Sequence, residues 1–292
     1  MNQTMHEQPA TKAPVHPVYS PGLEGVIAGE SAICQVDEGE AGLRYRGYAI
    51  GDLAERCSFE EVAYLLLFGR LPTRAELAEF SHSLRRHRSL PDQVRRFMDD
   101  LSPGMHQMDV LRTGISLLGL SDPEAQEGSR EATLRKSVRL LAQIPQLIAG
   151  SYQVMAGRTP MEPDTEGSFA ANLLNLVAGR RRDDLGAAMA QVLNVSLILY
   201  AEHEFNASTF AARVTASTLT DLHGAVTAAV ATLKGPLHGG ANEAVAAMLM
   251  EIGRPEHVAF WLRETLAHKR RVMGFGHRVL RQGDARSAII QR

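Results

Sequence analysis

The sequence predicts a mainly α protein, and three observations carry that prediction. Aromatic residues make up only 5 % of the 292, while alanine and the other strong helix formers are abundant. From Ile50 onward apolar residues recur at helical spacing. Short β-prone pieces are confined to the stretch between Gly22 and Ile50.

The elements follow in chain order. Residues 1–21 read as a flexible arm, with prolines at 9, 14 and 17 and no apolar run for a signal peptide. Val26-Ile27, Ile33 to Val36 and Leu43 to Tyr45 read as one or two small hairpins, separated by Gly29, Gly39 and Gly42. Two capping-box patterns open helices: Ser58-x-x-Glu61 before Val62, and Thr73-x-x-Glu76 after Pro72. Pro91 precedes a further apolar set at Val94, Phe97 and Met98. Met108 to Leu120 presents 108, 111, 115 and 118 on one face, and the acidic stretch 121–129 is a loop. Ala132 to Ala156 is a long helix that Pro145 is expected to kink, with a loop over 157–167. Phe169 to Ala178, Leu185 to Ala201, Ala207 to Thr218 and Leu222 to Leu233 are helical. The last three carry few charges, and a helix apolar all round is a buried one, so they are expected at the centre of the fold. Pro236 and Gly239-Gly240 interrupt the pattern, and Ala241 to Ile252, Glu256 to His268 and Ala285 onward resume it.

Composition excludes several classes. Thirty-one Lys and Arg against 33 Asp and Glu leave a net charge of −2, with no bias toward nucleic acid. Two cysteines, Cys34 and Cys57, make no metal-type spacing and suggest a reducing compartment. The most apolar segment, Leu185 to Ala201, falls short of the roughly 20 residues needed to span a membrane and carries Gln191, Asn194 and Ser196. A cytoplasmic, membrane-free protein is expected. No phosphate-binding loop, Rossmann fingerprint or Gly-x-Ser-x-Gly elbow is present.

Eleven histidines are candidates for chemistry. His6, His16, His82, His87, His106, His257 and His268 read as surface or capping residues, the first of the helical ones on a basic face with Arg85, Arg86 and Arg88. His223, following Asp221 at a helix start, reads as structural. The other three have different surroundings. His238 lies in Gly235-Pro236-Leu237-His238-Gly239-Gly240-Ala241-Asn242. A helix starts just after it, so the dipole disfavours imidazolium, and a neutral imidazole there can donate to a developing oxyanion. The same pattern also suits a histidine that merely caps the helix. His277 lies in Met273-Gly274-Phe275-Gly276-His277-Arg278, with Arg270 and Arg271 just before. Backbone N–H groups beside arginines suit phosphate or carboxylate, and equally a turn with a solvated basic rim. His203 ends the most apolar helix, in His203-Glu204-Phe205-Asn206-Ala207-Ser208. It is either a satisfied core histidine or polar chemistry at a core's edge. A zinc helix would need a histidine at 207, where Ala207 stands, and no cysteine accompanies these groups, so no metal is expected.

Taken together, His-Glu-Phe-Asn-Ala-Ser, Gly-Pro-Leu-His-Gly-Gly-Ala-Asn and Met-Gly-Phe-Gly-His-Arg-Val resemble the citrate synthase family, which includes 2-methylcitrate synthases. Gly22 to Val26, Gly29 to Ile33 and Leu43 to Ala54 add to the likeness, which covers about residues 22–292. The resemblance implies an almost all-α, two-domain fold and a homodimer. Here that would be a large helical domain over 22–237 and the start of a small one over 238–292. It implies condensation of acetyl-CoA or propionyl-CoA with oxaloacetate, then thioester hydrolysis, with acyl-CoA as substrate and no permanently bound cofactor. On the family pattern His238 would hydrogen-bond the enolate and His277 would polarise the oxo-acid carbonyl. His203, Asn206 and Arg286 would bind the oxo acid. Val272, Met273, Gly274, Phe275 and Gly276 would contact CoA. The family pattern continues beyond Arg292 with a C-terminal part, absent here, that supplies the catalytic Asp, so the resemblance implies an inactive or weakly active fragment. Asp284, Glu243 and Glu204 read as caps or surface charges. Asp284-Ala285-Arg286 stands where the family has Asp-Pro-Arg, which loosens the turn that aims Arg286. A contrasting reading is a non-catalytic protein that binds CoA or an oxo acid, or a regulatory partner.

Overall fold

The computed structural model describes residues 27–36, 42–181, 184–275 and 284–291. The chain divides into a short unit, Met1–Glu30, and a large one, Ser31–Arg292. Of the short unit only 27–30 are described, an exposed stretch without regular structure. The strand expected at Val26-Ile27 is therefore absent at Ile27, and Val26 lies outside the described residues, as does the arm.

The large unit opens with a three-stranded antiparallel sheet, β1 (Cys34–Val36), β2 (Leu43–Tyr45) and β3 (Tyr48–Ala49), in that spatial order. Cys34 faces Tyr45 and Val36 faces Leu43, while Tyr45 also faces Tyr48. Arg46 and Gly47 join β2 to β3 with φ of 48° and 88°. Positive φ at both positions matches the twist of a two-residue hairpin, and glycine accepts it without steric cost.

Helices α1 (Ile50–Arg56), α2 (Phe59–Phe68) and α3 (Arg74–Arg86) follow. Both expected capping boxes form: Ser58 Oγ accepts from Glu61 N–H while Glu61 accepts from Ser58 N–H, and Thr73 and Glu76 repeat the exchange. Each box satisfies two helix-end donors. Next come α4 (Asp92–Asp99), α5 (Gln107–Ser121) and α6 (Arg130–Met155), which continues through a buried Pro145. Then come α7 (Phe169–Ala178), α8 (Asp184–Tyr200), α9 (Ala207–Ser217) and α10 (Leu222–Leu233). The chain continues with α11 (Gly240–Ile252), a 3-10 turn at Pro255–His257, α12 (Val258–Ala267) and α13 (Ala285–Ile290). The mainly α prediction holds.

Two apolar cores hold these elements. One gathers Leu43 and Tyr45 from the sheet with Leu53, Val62, Leu65, Phe80, Leu84, Ile198 and Leu199. The other gathers Val94, Met98, Leu111, Ile115, Leu118, Leu147 and Val230. Helix α6 serves both, with Val138 and Ala142 in the first and Leu140 and Leu147 in the second. It approaches α5 closely: a Cβ on Gly114 would fall 2.5 Å from Leu147 Cδ2.

The centre is not where helix polarity placed it. Helix α9 buries no residue, and α10 buries only His223, Ala225 and Val230. Along α8, Met189, Val192 and Tyr200 are exposed, while Asn194, Ile198 and Leu199 are buried. Of the three, α9 lies at the surface, α8 buries its C-terminal end against the first core and α10 buries one face, while α2, α5 and α6 supply much of the two cores. Arg88, expected on the basic face with Arg85 and Arg86, lies just past the end of α3. Arg88 is buried, and its guanidinium donates to the carbonyls of Asp164 and Gly167. Lys136, 2 % exposed, likewise donates to Ala125 and Glu127 carbonyls and holds the 121–129 loop. Buried charge is costly unless it is hydrogen-bonded, and here loop carbonyls supply the partners. No helix among the described residues is long and apolar enough to cross a membrane.

Candidate active site

The site grows from the loop that follows α8. Asn206 ends that loop as the N-cap of α9, with Oδ1 accepting from Thr209 N–H at 3.0 Å and from Ser208 Oγ at 2.7 Å. Ser208 in turn meets His238: Nε2 lies 2.9 Å from Ser208 Oγ and 3.3 Å from Ser208 N. His238 is half-buried and immediately precedes Gly239, the N-cap of α11, so it stands at a helix start as expected. The Gly239-Gly240 pair is required by packing. A Cβ on Gly239 would fall 2.6 Å from Leu233 O, and one on Gly240 2.7 Å from Lys234 O. Two of the three motifs are thus in direct contact.

The described part of the third lies on the same helix. A Cβ on Gly274, at φ 86°, would come 3.1 Å from Val245 Cγ2 of α11. Val272 and Met273 are half-buried, and Gly274 and Phe275 are exposed. Gly276, His277 and Arg278 lie outside the described residues.

Arg286 binds Asp284 through one edge of the guanidinium: Nε at 2.9 Å from Oδ1 and Nη2 at 2.6 Å from Oδ2. The Arg286 guanidinium also sits 5.8 Å from the Tyr200 ring centroid. Asp284 caps α13 as expected, accepting from Arg286 N–H. Burial alone would raise the Asp284 carboxyl. Hydrogen bonds from Arg286 and the charges of Arg286 and His203 outweigh it and leave the carboxyl below the usual range. His203 is half-buried and within electrostatic reach of Asp284, so His203 and Arg286 share one neighbourhood. Glu202 beside it is pushed up by burial, against hydrogen bonds from the Glu204 and His203 amides.

Of the other histidines, His6 and His16 lie outside the described residues. His106 caps α5, His257 and His268 hydrogen-bond helix carbonyls, and His223 is buried between Asp122 and Asp221 at 3.5 and 3.7 Å. Glu204 and Glu243 are partnered rather than free: Glu204 accepts from Val36 N–H, and Glu243 pairs with His106. Among the described residues no group of His, Cys, Asp and Glu could hold a metal ion. Sequence reasoning passed over Ser208 as a partner for His238. The Asn206-x-x-Thr209 capping spacing, which exposes Ser208 at a helix start, was the available signal.

This arrangement offers an imidazole at a helix start, a guanidinium for a carboxylate, and a glycine turn with arginines nearby. Its class is set by comparison. The family profile described as "Citrate synthase, C-terminal domain" matches residues 22–292. The 2-methylcitrate synthase of Mycobacterium tuberculosis is 44 % identical, covering 94 % of this chain and 69 % of the relative. The citrate synthase of Synechocystis is also 44 % identical, over 94 % of this chain and 68 % of its own. Among solved structures, citrate synthase from Pyrobaculum aerophilum superposes with a TM-score of 0.85 at 34 % identity, covering 99 % of this chain and 74 % of that one. The citrate synthase of Thermoplasma acidophilum, in a ternary complex with carboxymethyl coenzyme A and oxaloacetate, also gives 0.85, at 31 % identity over 93 % of this chain and 71 % of that one. The chain belongs to the citrate synthase family. The resemblance read from the three motifs is borne out.

Proposed function

We propose that the chain carries the acyl-CoA and oxo-acid site of a citrate or 2-methylcitrate synthase. The observation that carries this reading is the contact between motifs: His238 at the start of α11 against Ser208 at the start of α9. In this reading oxaloacetate is held by His203 and Arg286, with Asn206 shaping the loop between them. His277 polarises its carbonyl. The acyl-CoA lies along Val272–Gly276, and His238 donates to the enolate oxygen as the new carbon–carbon bond forms. Water then cleaves the thioester and CoA leaves. His238 is the border between a large helical domain, 22–237, and the start of a small one, 238–292. No cofactor is needed, because the thioester supplies the driving force. The reading assigns no carboxylate to proton abstraction, since no acid of the sequence stands in a motif like the family's catalytic Asp. Turnover by these 292 residues alone is therefore expected to be low, and acid–base groups are worth about 10²–10⁴-fold.

The test is CoA thiol release with oxaloacetate and either acetyl-CoA or propionyl-CoA. His238→Ala should lower whatever turnover is measured by roughly 10²–10³-fold, the usual weight of an oxyanion donor. A change under threefold would remove His238 from that role. Preference between the two acyl groups rests on one methylene, worth about 1–3 kcal/mol.

We also infer a homodimer. Met250 and Phe260, 78 % and 65 % exposed, belong to an apolar surface that α9, α11 and α12 leave uncovered. Sedimentation should give a two-chain mass, and a well-folded single chain at micromolar concentration would contradict it.

A further inference from the structure

The N-terminal sheet touches the loop that carries His203 at three points, all far apart in sequence. Tyr45, fully buried in β2, places its hydroxyl 2.9 Å from the carbonyl oxygen of Glu202, 157 residues away. The Tyr45 hydroxyl oxygen also lies 3.1 and 3.2 Å from the Ile198 and Leu199 carbonyls and accepts from Glu202 N–H at 3.2 Å. The last carbonyls of a helix have no partner within it, so this hydroxyl closes the end of α8 just before His203. Glu204, the residue after His203, reaches back with Oε1 to accept Val36 N–H at 2.9 Å. Its backbone also hydrogen-bonds the Cys34 thiol, which burial pushes up to about 12. Glu204 has φ 58°, a conformation that costs a residue with a side chain and that persists only where the surroundings impose it. The edge strand β1 imposes it here: the carboxylate occupies an N–H that an edge would otherwise expose. His203 therefore sits between two anchored residues, one on each side.

We propose that the N-terminal sheet is the positioning platform for the oxo-acid half of the site, with Tyr45 and Glu204 as positioning residues that fix the backbone around His203. The assignment of that half to an oxo acid rests on the proposed function. The anchoring itself does not.

Three variants of the full chain test it: Tyr45→Phe, Glu204→Ala and Glu204→Gln. The readouts are amide exchange over 201–205, the ring resonances of His203 and His238, and oxaloacetate binding by calorimetry. Tyr45→Phe and Glu204→Ala should speed exchange over 201–205 by about tenfold, the usual consequence of losing a buried hydrogen bond. They should shift or broaden the His203 ring signal and leave His238 unmoved. Glu204→Gln keeps an acceptor oxygen and should restore slow exchange. Oxaloacetate binding should weaken by about three- to tenfold in the first two variants, following the loosened loop. Wild-type exchange and an unmoved His203 signal in both variants would overturn the proposal. So would exchange that rises equally throughout α1 and α2, which would mark a general loss of packing. If the loop loosens while oxaloacetate binds as tightly as to the wild type, the positioning role is overturned. If the wild type binds no oxaloacetate, the proposed function fails, and the exchange and ring signals alone decide the platform.

Discussion

The region from β1 to α7 and the region from α9 to α12 have similar helical patterns in sequence and opposite fates in space. In the first, apolar positions are buried in two cores, and buried cations hold the loops. In the second, α9 and α11 bury no residue, α12 buries only Thr265, and α10 reaches a core through Val230. The difference teaches that an apolar face declares a helix without declaring its partner. The site lies along the seam: Ser208 and His238 start the two uncovered helices, while the loop before Ser208 is anchored on the covered side.

The comparison is broken most readily at its extremes. Leu147, fully buried between α5 and α6, should cost about 2–5 kcal/mol on change to Ala, because a cavity remains. Met250→Ala should change single-chain stability by no more than about 0.5 kcal/mol. Denaturant midpoints, taken at a dilution where single chains prevail, measure both, and equal losses would show that the two regions are covered alike.

A smaller effect belongs to α10, the helix of the second region that reaches a core through Val230. His223 is buried among Asp122, Asp221, Lys136 and Arg139. Desolvation holds its folded pKa below the ordinary 6.5, against the pull of the two aspartates. The unfolded chain then binds the proton more readily, so stability is full above about pH 6.5 and falls as the solution is acidified below it. Thermal midpoints between pH 7.5 and 5.5 should decline, and His223→Gln should flatten that decline. A decline as steep in the variant would assign it to other groups.

Local grammar was the legible part of the fold. Ser58 with Glu61 and Thr73 with Glu76 act within one turn, so their spacing sufficed. Arg88 and Lys136 were illegible, because the carbonyls they bind belong to loops brought near only by folding. The exposure of α9 was illegible for the same reason: periodicity reports a face and not its cover. In the site, the motifs named His203, His238 and Arg286, and Asp284 was read correctly as a cap. The Ser208–His238 contact, the Asp284–Arg286 fork and the Tyr45–Glu202 anchor needed three dimensions, since they depend on where distant segments meet. His277, the remaining catalytic candidate, lies outside the described residues.

The most direct test of the site is oxaloacetate titrated by calorimetry into the wild-type chain and into Arg286→Ala, with CoA titrated separately. The account predicts saturable oxaloacetate binding, weakened roughly 10–100-fold by loss of a charge-assisted partner, and CoA affinity unchanged. Equal oxaloacetate binding by both proteins, or none by the wild type, would contradict it.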